Sequence, residues 1–480
     1  MRRFFILLLL TFCCKQVKEN DVIKIGIRGT LRTTDPHCSS LFAVNQVLYN
    51  IYEALVEFDK RMRLLPCLAY KWKQKHPCCW RFYIRKGVKF HCGDILTAWD
   101  VRKSIMRAKT LKGSQVKELV RLIKDVKVID SFTVDIITEK PAPMLLQYLR
   151  AIRIIKEKNG KLYGTGPYML SAMEGDSVVI LQRFEDYWGK KPFFKKVIFV
   201  SGRSSGDLLN KFRRKKIDIA RISGRFTKEA GKIKEAYLKR GSAITIGYIV
   251  ANFKIPVLCK KEVRKAISYA IDRHELSEKI YKGLAVSANQ LALPGIAGYN
   301  PRLPEIKYMP DSAKILLKKA GIDTLKITLM AAKGLTRWLD ILKGQMGRAN
   351  IKLKLDYADF NEFWEKLGKK DYELAYVGWA FTIPDVWDFL ARNCHTPEGN
   401  YGTLNDGGYS NRELDKLIEE SEVEIDPLKR LRILQDCMRI LREESPVIPL
   451  LSFPPLYIVR KGIKWEPRQD MYIFAYEIKR

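Results

Sequence analysis

The sequence is short of acid, of histidine and of long apolar runs, and each shortage narrows what the chain can do. Its 480 residues hold 53 Asp and Glu against 87 Lys and Arg, a formal net charge of +34 at pH 7. Only five histidines are present, and no C-x-x-C pair or H-x-x-x-H spacing marks a metal site. The Asp, Ser and His residues form no evident nucleophile elbow, phosphate loop or zinc helix, which argues against an enzyme. Gly164-Thr165-Gly166-Pro167 is glycine-rich, yet it lacks the lysine and helix start of a phosphate loop and reads as a tight turn. Beyond the first residues no apolar run is long enough to span a bilayer. No internal repeat, low-complexity tract or nucleic-acid module accompanies the positive charge.

What is present is a long globular body behind a distinctive start. With 47% hydrophobic and 29% charged residues, the chain suits two or three packed cores. Arg2 and Arg3 precede an apolar stretch from Phe4 to Phe12, and a polar stretch runs from Lys15 to Asp21. That order is the order of an export signal. Leu10-Thr11-Phe12-Cys13-Cys14 resembles a bacterial lipoprotein cleavage site, with Cys13 or Cys14 as the lipidated residue, although Phe12 stands where a small residue is usual. Residues 1–14 are therefore expected to be a signal segment. Eight further cysteines follow, five of them between Cys38 and Cys92, and an oxidising compartment permits disulfides or structural thiols. The basic runs Lys211 to Lys216 and Lys228 to Arg240 suit a solvated face or attraction to anions.

Hydrophobic periodicity alternates between two and three-to-four along most of the chain. Val22 to Ile27, Ile327 to Met330 and Ile351 to Leu355 predict half-buried strands, while Val197 to Val200 and Leu374 to Val377 predict buried ones. Helical spacing runs from Glu262 to Arg273, from a cap at Asp311 or Ser312 to Gly321, and onward from a cap at Asn411. Mixed elements of this kind predict α/β lobes with partly parallel sheets.

Several segments occur in an order that resembles the bacterial extracellular solute-binding proteins of family 5, the oligopeptide, dipeptide and nickel receptors. They begin with Thr34-Asp35-Pro36 and Asn50-Ile51-Tyr52-Glu53-Ala54-Leu55-Val56, then Phe82-Tyr83-Ile84-Arg85-Lys86-Gly87-Val88. Tyr187-Trp188-Gly189 and Val263-Arg264-Lys265-Ala266-Ile267 follow, then Gly378-Trp379 and Glu444-Ser445-Pro446-Val447-Ile448-Pro449. The resemblance implies a two-lobed periplasmic binding protein fold (type II) with an extra inserted domain and two crossing hinge strands. Residues 15–40, 163–245 and 453–480 would form a discontinuous lobe 1, 41–162 the inserted domain and 246–452 lobe 2. The crossing strands are expected near Ile246 to Phe253 and near Tyr457 to Lys464.

By the same resemblance the protein would be a monomeric ABC-importer receptor, periplasmic and tied to the membrane only through a lipid. It would capture short oligopeptides by backbone hydrogen bonding and close over them for a permease and ATPase, with no cofactor, no metal and no specific nucleic acid. The ladder is expected from Cys38, Ser39, Ser40 and Phe42 on one side and Gly378, Trp379, Ala380 and Phe381 on the other, with Trp379 as a flat wall. Peptide-binding relatives usually place an amine-binding aspartate three residues after this tryptophan; here that position is Thr382. A hydroxyl cannot neutralise an ammonium, so Asp385 is a candidate substitute, a capping carboxylate being its other reading. Arg337 is a candidate partner for a ligand carboxylate. A metal-chelate, nickel or haem receptor of the same fold remains an alternative, prompted by His37-Cys38, His91-Cys92 and Cys394-His395, as does a basic polyanion-binding surface protein.

Overall fold

The computed structural model describes residues 21–333 and 336–480, without the side chains at 280, 336 and 337. Two large sheets organise it. The first has seven strands in the order Tyr168–Glu174, Val178–Arg183, Lys196–Gly202, Val22–Arg28, Ile219–Ile222, Leu456–Arg460 and Ala236–Arg240. Val22–Arg28 lies at its centre, parallel to Lys196–Gly202 on one side and to Ile219–Ile222 on the other. Ile23, Ile25, Val197 and Phe199 are fully buried there in one apolar cluster. Each such side chain removed from water contributes about 1.5–3 kcal/mol.

The second sheet has six strands: Val286–Ser287, Val447–Ser452, Thr245–Ala251, Leu374–Ala380, Leu325–Ala332 and Ile351–Ala358. A third, antiparallel sheet of four strands, Ala69–His76, Cys79–Ile84, Thr133–Thr138 and Ile123–Asp130, carries its own core of Phe82, Ile84, Val101, Ile105, Val134 and Ile136. The protein is thus a two-lobed α/β molecule with an additional antiparallel unit.

The chain passes between the two large sheets at 241–244 and again at 453–455. Both passages come a few residues before the expected hinge strands, because the predicted segments are already paired inside a sheet. The passages are tied together: Gly241 N–H donates to the Pro455 carbonyl at 2.9 Å and Phe453 N–H to the Thr245 carbonyl at 2.8 Å.

Local chemistry explains where the predicted helices shifted. The stripe from Glu262 to Arg273 divides into Lys261–Tyr269 and Arg273–Tyr281, because the Asp272 carboxylate accepts the Glu275 N–H and starts a new helix. Pro310 opens Pro310–Lys319 from its first turn, ahead of the expected Asp311 or Ser312 cap. Asn411 caps Arg412–Val423 as its sequence implies, accepting the Leu414 N–H at 3.1 Å. The glycine pair at 164 and 166 lies against the Ile51 carbonyl, which an added Cβ would meet at 2.1 and 2.6 Å. A backbone close approach, not a phosphate, accounts for that motif.

Glu53 joins three segments. Its buried carboxyl accepts from Tyr187 Oη at 2.8 Å, Trp188 Nε1 at 2.9 Å and Thr165 Oγ1 at 2.9 Å. Burial pushes it up to about 7 despite those donors.

Candidate functional site: the cleft between the sheets

The site is built from the end of one strand. In Leu374–Ala380, hereafter the cleft strand, Leu374 to Ala380 pair antiparallel with Thr245–Ala251 on one side. On the other side only Leu374 and Ala375 pair, with Leu329 and Met330. Beyond Ala375 that edge has no partner among the described residues. Phe381 N–H donates to the Ile244 carbonyl at 2.8 Å, so alternation turns the main-chain groups of residues 377 and 379 towards the paired side. The main-chain groups of Tyr376, Gly378 and Ala380 face the open side. Gly378 leaves the space above it free: a Cβ there would meet only the Ile246 carbonyl, at 3.8 Å.

Two chambers flank this strand end. Chamber 1, about 640 Å³, lies between the segment 115–151 and residues 382–403, with Ser39 and Ser40 on its wall. Chamber 2, about 570 Å³, lies between the ends of the seven-stranded sheet and Tyr376, Ala380 and Phe453. Thr382 lines both.

Chamber 1 carries charges of both signs. Asp388, on the helix Trp387–Asn393, faces it without a hydrogen bond or ion pair among the described residues. Burial raises its carboxyl above the usual range, opposed by Arg392 and reinforced by Asp385. Glu422 reaches across from Arg412–Val423 to Arg121 at 2.5 Å and Lys140 at 2.6 Å, and accepts the Tyr401 hydroxyl at 2.5 Å. Burial opposes its ionisation, yet Lys140, Tyr401 and Arg121 together hold the carboxyl below its ordinary value.

The sequence-predicted residues divide. Ser39, Ser40, Phe42, Ala380 and Thr382 line the chambers. Cys38 instead closes a turn, donating its N–H to the Asp35 carbonyl at 3.2 Å. Trp379 packs edge-on against Phe389, centroids 5.3 Å apart, and lines neither chamber. Phe381 is buried in the core below the strand. Asp385 is also buried; its oxygens meet Arg430 Nη1 at 2.5 Å and Nη2 at 3.2 Å, and it accepts the Trp387 N–H at 2.8 Å. Its carboxylate is held by structural bonds, and Asp385 lines neither chamber. Arg337 lies in the helix Thr336–Gly347, but its side chain falls outside the described residues, as do Cys13 and Cys14.

The metal-prompting histidines bond within the chain. His37 Nε2 meets the Arg153 carbonyl at 2.9 Å, His91 Nε2 the Gly166 carbonyl at 2.9 Å, and His395 Nε2 meets Glu419 at 3.1 Å. The described cysteines are free thiols, and the described residues contain no group of three or more potential metal ligands. Gly202-Arg203-Ser204-Ser205-Gly206 has a strand–turn–helix setting, but Ser204 Oγ accepts the Asp207 N–H at 3.1 Å as a helix cap, and no histidine bonds to it.

A cleft between two sheets with an unpaired strand edge suits a receptor. The profile of bacterial extracellular solute-binding proteins, family 5, matches residues 63–401. The chain belongs to that family. This family 5 receptor is 24% identical over 467 residues to the dipeptide-binding protein of Escherichia coli K12, covering 86% of each chain. It superposes on the periplasmic binding protein DppA from Helicobacter pylori, in complex with peptide STSA, with a TM-score of 0.76 and 20% identity over 95% of this chain and 97% of that one. For NikZ from Campylobacter jejuni in complex with Ni(L-His), the TM-score is 0.80 at 20% identity, over 96% of this chain and all of that one. The chain is therefore a solute-binding receptor of the ABC-importer type and not an enzyme. Receptors of this family are periplasmic or extracellular and deliver their solutes to permease and ATPase subunits. No helix among the described residues is long and apolar enough to cross a membrane.

Proposed function

We propose that this receptor captures short oligopeptides, held in extended form along the open edge of the cleft strand. The observation that carries the reading is the alternation at Tyr376, Gly378 and Ala380, whose main-chain groups point away from Thr245–Ala251 and towards the cleft. An extended peptide supplies the complementary donors and acceptors whatever its side chains. Leaving either set unpaired on burial would cost about 1–3 kcal/mol per group. The two chambers give side chains and termini room, and water can fill what they leave. The E. coli relative is named for dipeptides and the H. pylori structure contains a peptide, which supports the same class.

In this reading residues 15–40, 163–245 and 453–480 form one lobe, 246–452 the other, and 41–162 the inserted unit, with both hinge passages just inside those limits. Asp388 is the carboxylate that takes the ligand's amine, one helical turn beyond Asp385, since Asp385 is already paired with Arg430. In the same reading an export signal at residues 1–14 and a lipid anchor at Cys13 or Cys14 would hold the receptor in the periplasm at the cell membrane.

Calorimetric titration with tetra-alanine and with its analogue N-methylated at a central amide tests the edge. The methyl group removes one donor and blocks close approach, so affinity should fall roughly tenfold or more. Equal binding of the two would reject the ladder.

A further inference from the structure

The two chambers differ in charge, and the difference assigns a direction to the ligand. Three arginines, Arg28, Arg221 and Arg240, line chamber 2, and among the described residues no aspartate or glutamate does. Several buried arginines elsewhere in the chain meet acids or carbonyls. Arg150 and Arg153 meet Glu57, Arg468 meets Asp470, Arg430 meets Asp385, and Arg273 is held by carbonyls. Arg221 has no such oxygen. Its guanidinium lies 4.5 Å from the centre of the Phe42 ring and directs Nη1 at the Met471 sulfur, 3.0 Å away. A thioether and a ring face are weak partners for a cation that can donate five hydrogen bonds.

Arg28 stands at the end of Val22–Arg28, and its side chain has no hydrogen bond or ion pair among the described residues. Arg240 gives one N–H to the Leu284 carbonyl at 2.6 Å and keeps the rest. Burial first, and the charge of Arg28 after it, pull the Arg221 guanidinium below its ordinary range. Arg28 and Arg240 are exposed and Arg221 is half-buried, so the cost of an unpaired charge falls on Arg221, and an oxyanion would relieve it.

We propose that chamber 2 is the seat of the solute's oxyanion, a carboxylate or phosphate held by Arg221 with Arg28 and Arg240 at the rim. The inference rests on the peptide reading for the rest of the ligand. Tyr376 and Ala380 of the open edge line this same chamber, so a peptide on that edge can place its terminal carboxylate over Arg221. Asp388 faces chamber 1, beyond the shared Thr382. Amine and carboxylate would then lie on opposite sides of Thr382.

The test is calorimetry on the full chain with tetra-alanine, its C-terminal amide and inorganic phosphate, using the unsubstituted protein, Arg221→Met and Arg28→Gln. The free acid should bind roughly tenfold or more tighter than the amide, as expected for a charge-assisted bond. Arg221→Met should bind acid and amide alike. Arg28 is exposed, so Arg28→Gln should fold normally and narrow the difference by a smaller factor. Equal binding of acid and amide to the unsubstituted protein, with Arg221→Met unchanged, would overturn the anion seat and leave the peptide reading standing. If no alanine peptide binds, yet phosphate raises the melting temperature of the unsubstituted protein and not of Arg221→Met, the peptide reading falls and the anion seat stands with phosphate as its source. If neither peptide nor phosphate registers, both fail.

Discussion

Position 382 separates two chemistries. Thr382 touches both chambers with a neutral side chain, so the charge that selects a ligand must come from its neighbours. The two nearby aspartates have different fates. Asp385 is locked to Arg430, and Asp385→Asn should lower unfolding stability by about 3–5 kcal/mol, measured by denaturant titration, because a buried guanidinium loses its counter-charge. Asp388 has no hydrogen bond or ion pair among the described residues, and burial raises the pH at which it ionises. A bound ammonium favours the ionised form, so affinity for a free-amine tetrapeptide should rise as pH climbs through the raised Asp388 pKa and level off above it. Asp388→Asn or an N-acetylated peptide should flatten that profile; an unchanged profile would remove Asp388 from the amine site. Sequence spacing gave no means of telling these residues apart, since both lie just past the tryptophan motif and only the packing of Arg430 distinguishes them. Nothing in the local sequence around Arg28, Arg221 or Arg240 showed that three distant segments would converge with no acid among the described residues between them.

The cleft strand shows what an element's pattern can and cannot reveal. Its apolar run was enough to predict a buried strand, whereas placing Gly378-Trp379 at the cleft rested on the family resemblance. The period-two alternation then decides which residues do which job: Tyr376 and Ala380 line chamber 2, while Trp379 packs against Phe389. Which side lacked a partner depends on Leu325–Ala332 pairing with it only at Leu374 and Ala375, a tertiary fact absent from any window of sequence. Gly378→Val is the direct substitution. A β-branched residue suits a strand, and a Cβ there meets only the Ile246 carbonyl at 3.8 Å, so melting should be unchanged within about 0.5 kcal/mol. The added side chain fills the space a ligand backbone would occupy, and peptide affinity should fall at least roughly tenfold by calorimetry. Retained affinity would place the ligand elsewhere.

For the whole molecule, the proposed function depends on two bodies meeting around a guest. The passages at 241–244 and 453–455 bond to one another, and in the proposed reading they would flex together as a hinge. Across chamber 1, Glu422 meets Arg121 and Lys140, and in the proposed lobe division these contacts would latch the inserted unit to the second sheet's lobe. Glu422→Gln should weaken peptide binding by about 2 kcal/mol, roughly thirtyfold, and reduce its sensitivity to salt. The general architecture was legible from ordered motifs spread along the chain, whereas the latch, joining residues 301 and 282 positions apart, was not. The most direct test of the account is amide hydrogen exchange along residues 374–382, with and without saturating tetra-alanine. The account predicts slowed exchange at Tyr376, Gly378 and Ala380, with Val377 and Trp379 little changed because Thr245–Ala251 already protects them. Tight peptide binding with unaltered exchange at those three amides would contradict it.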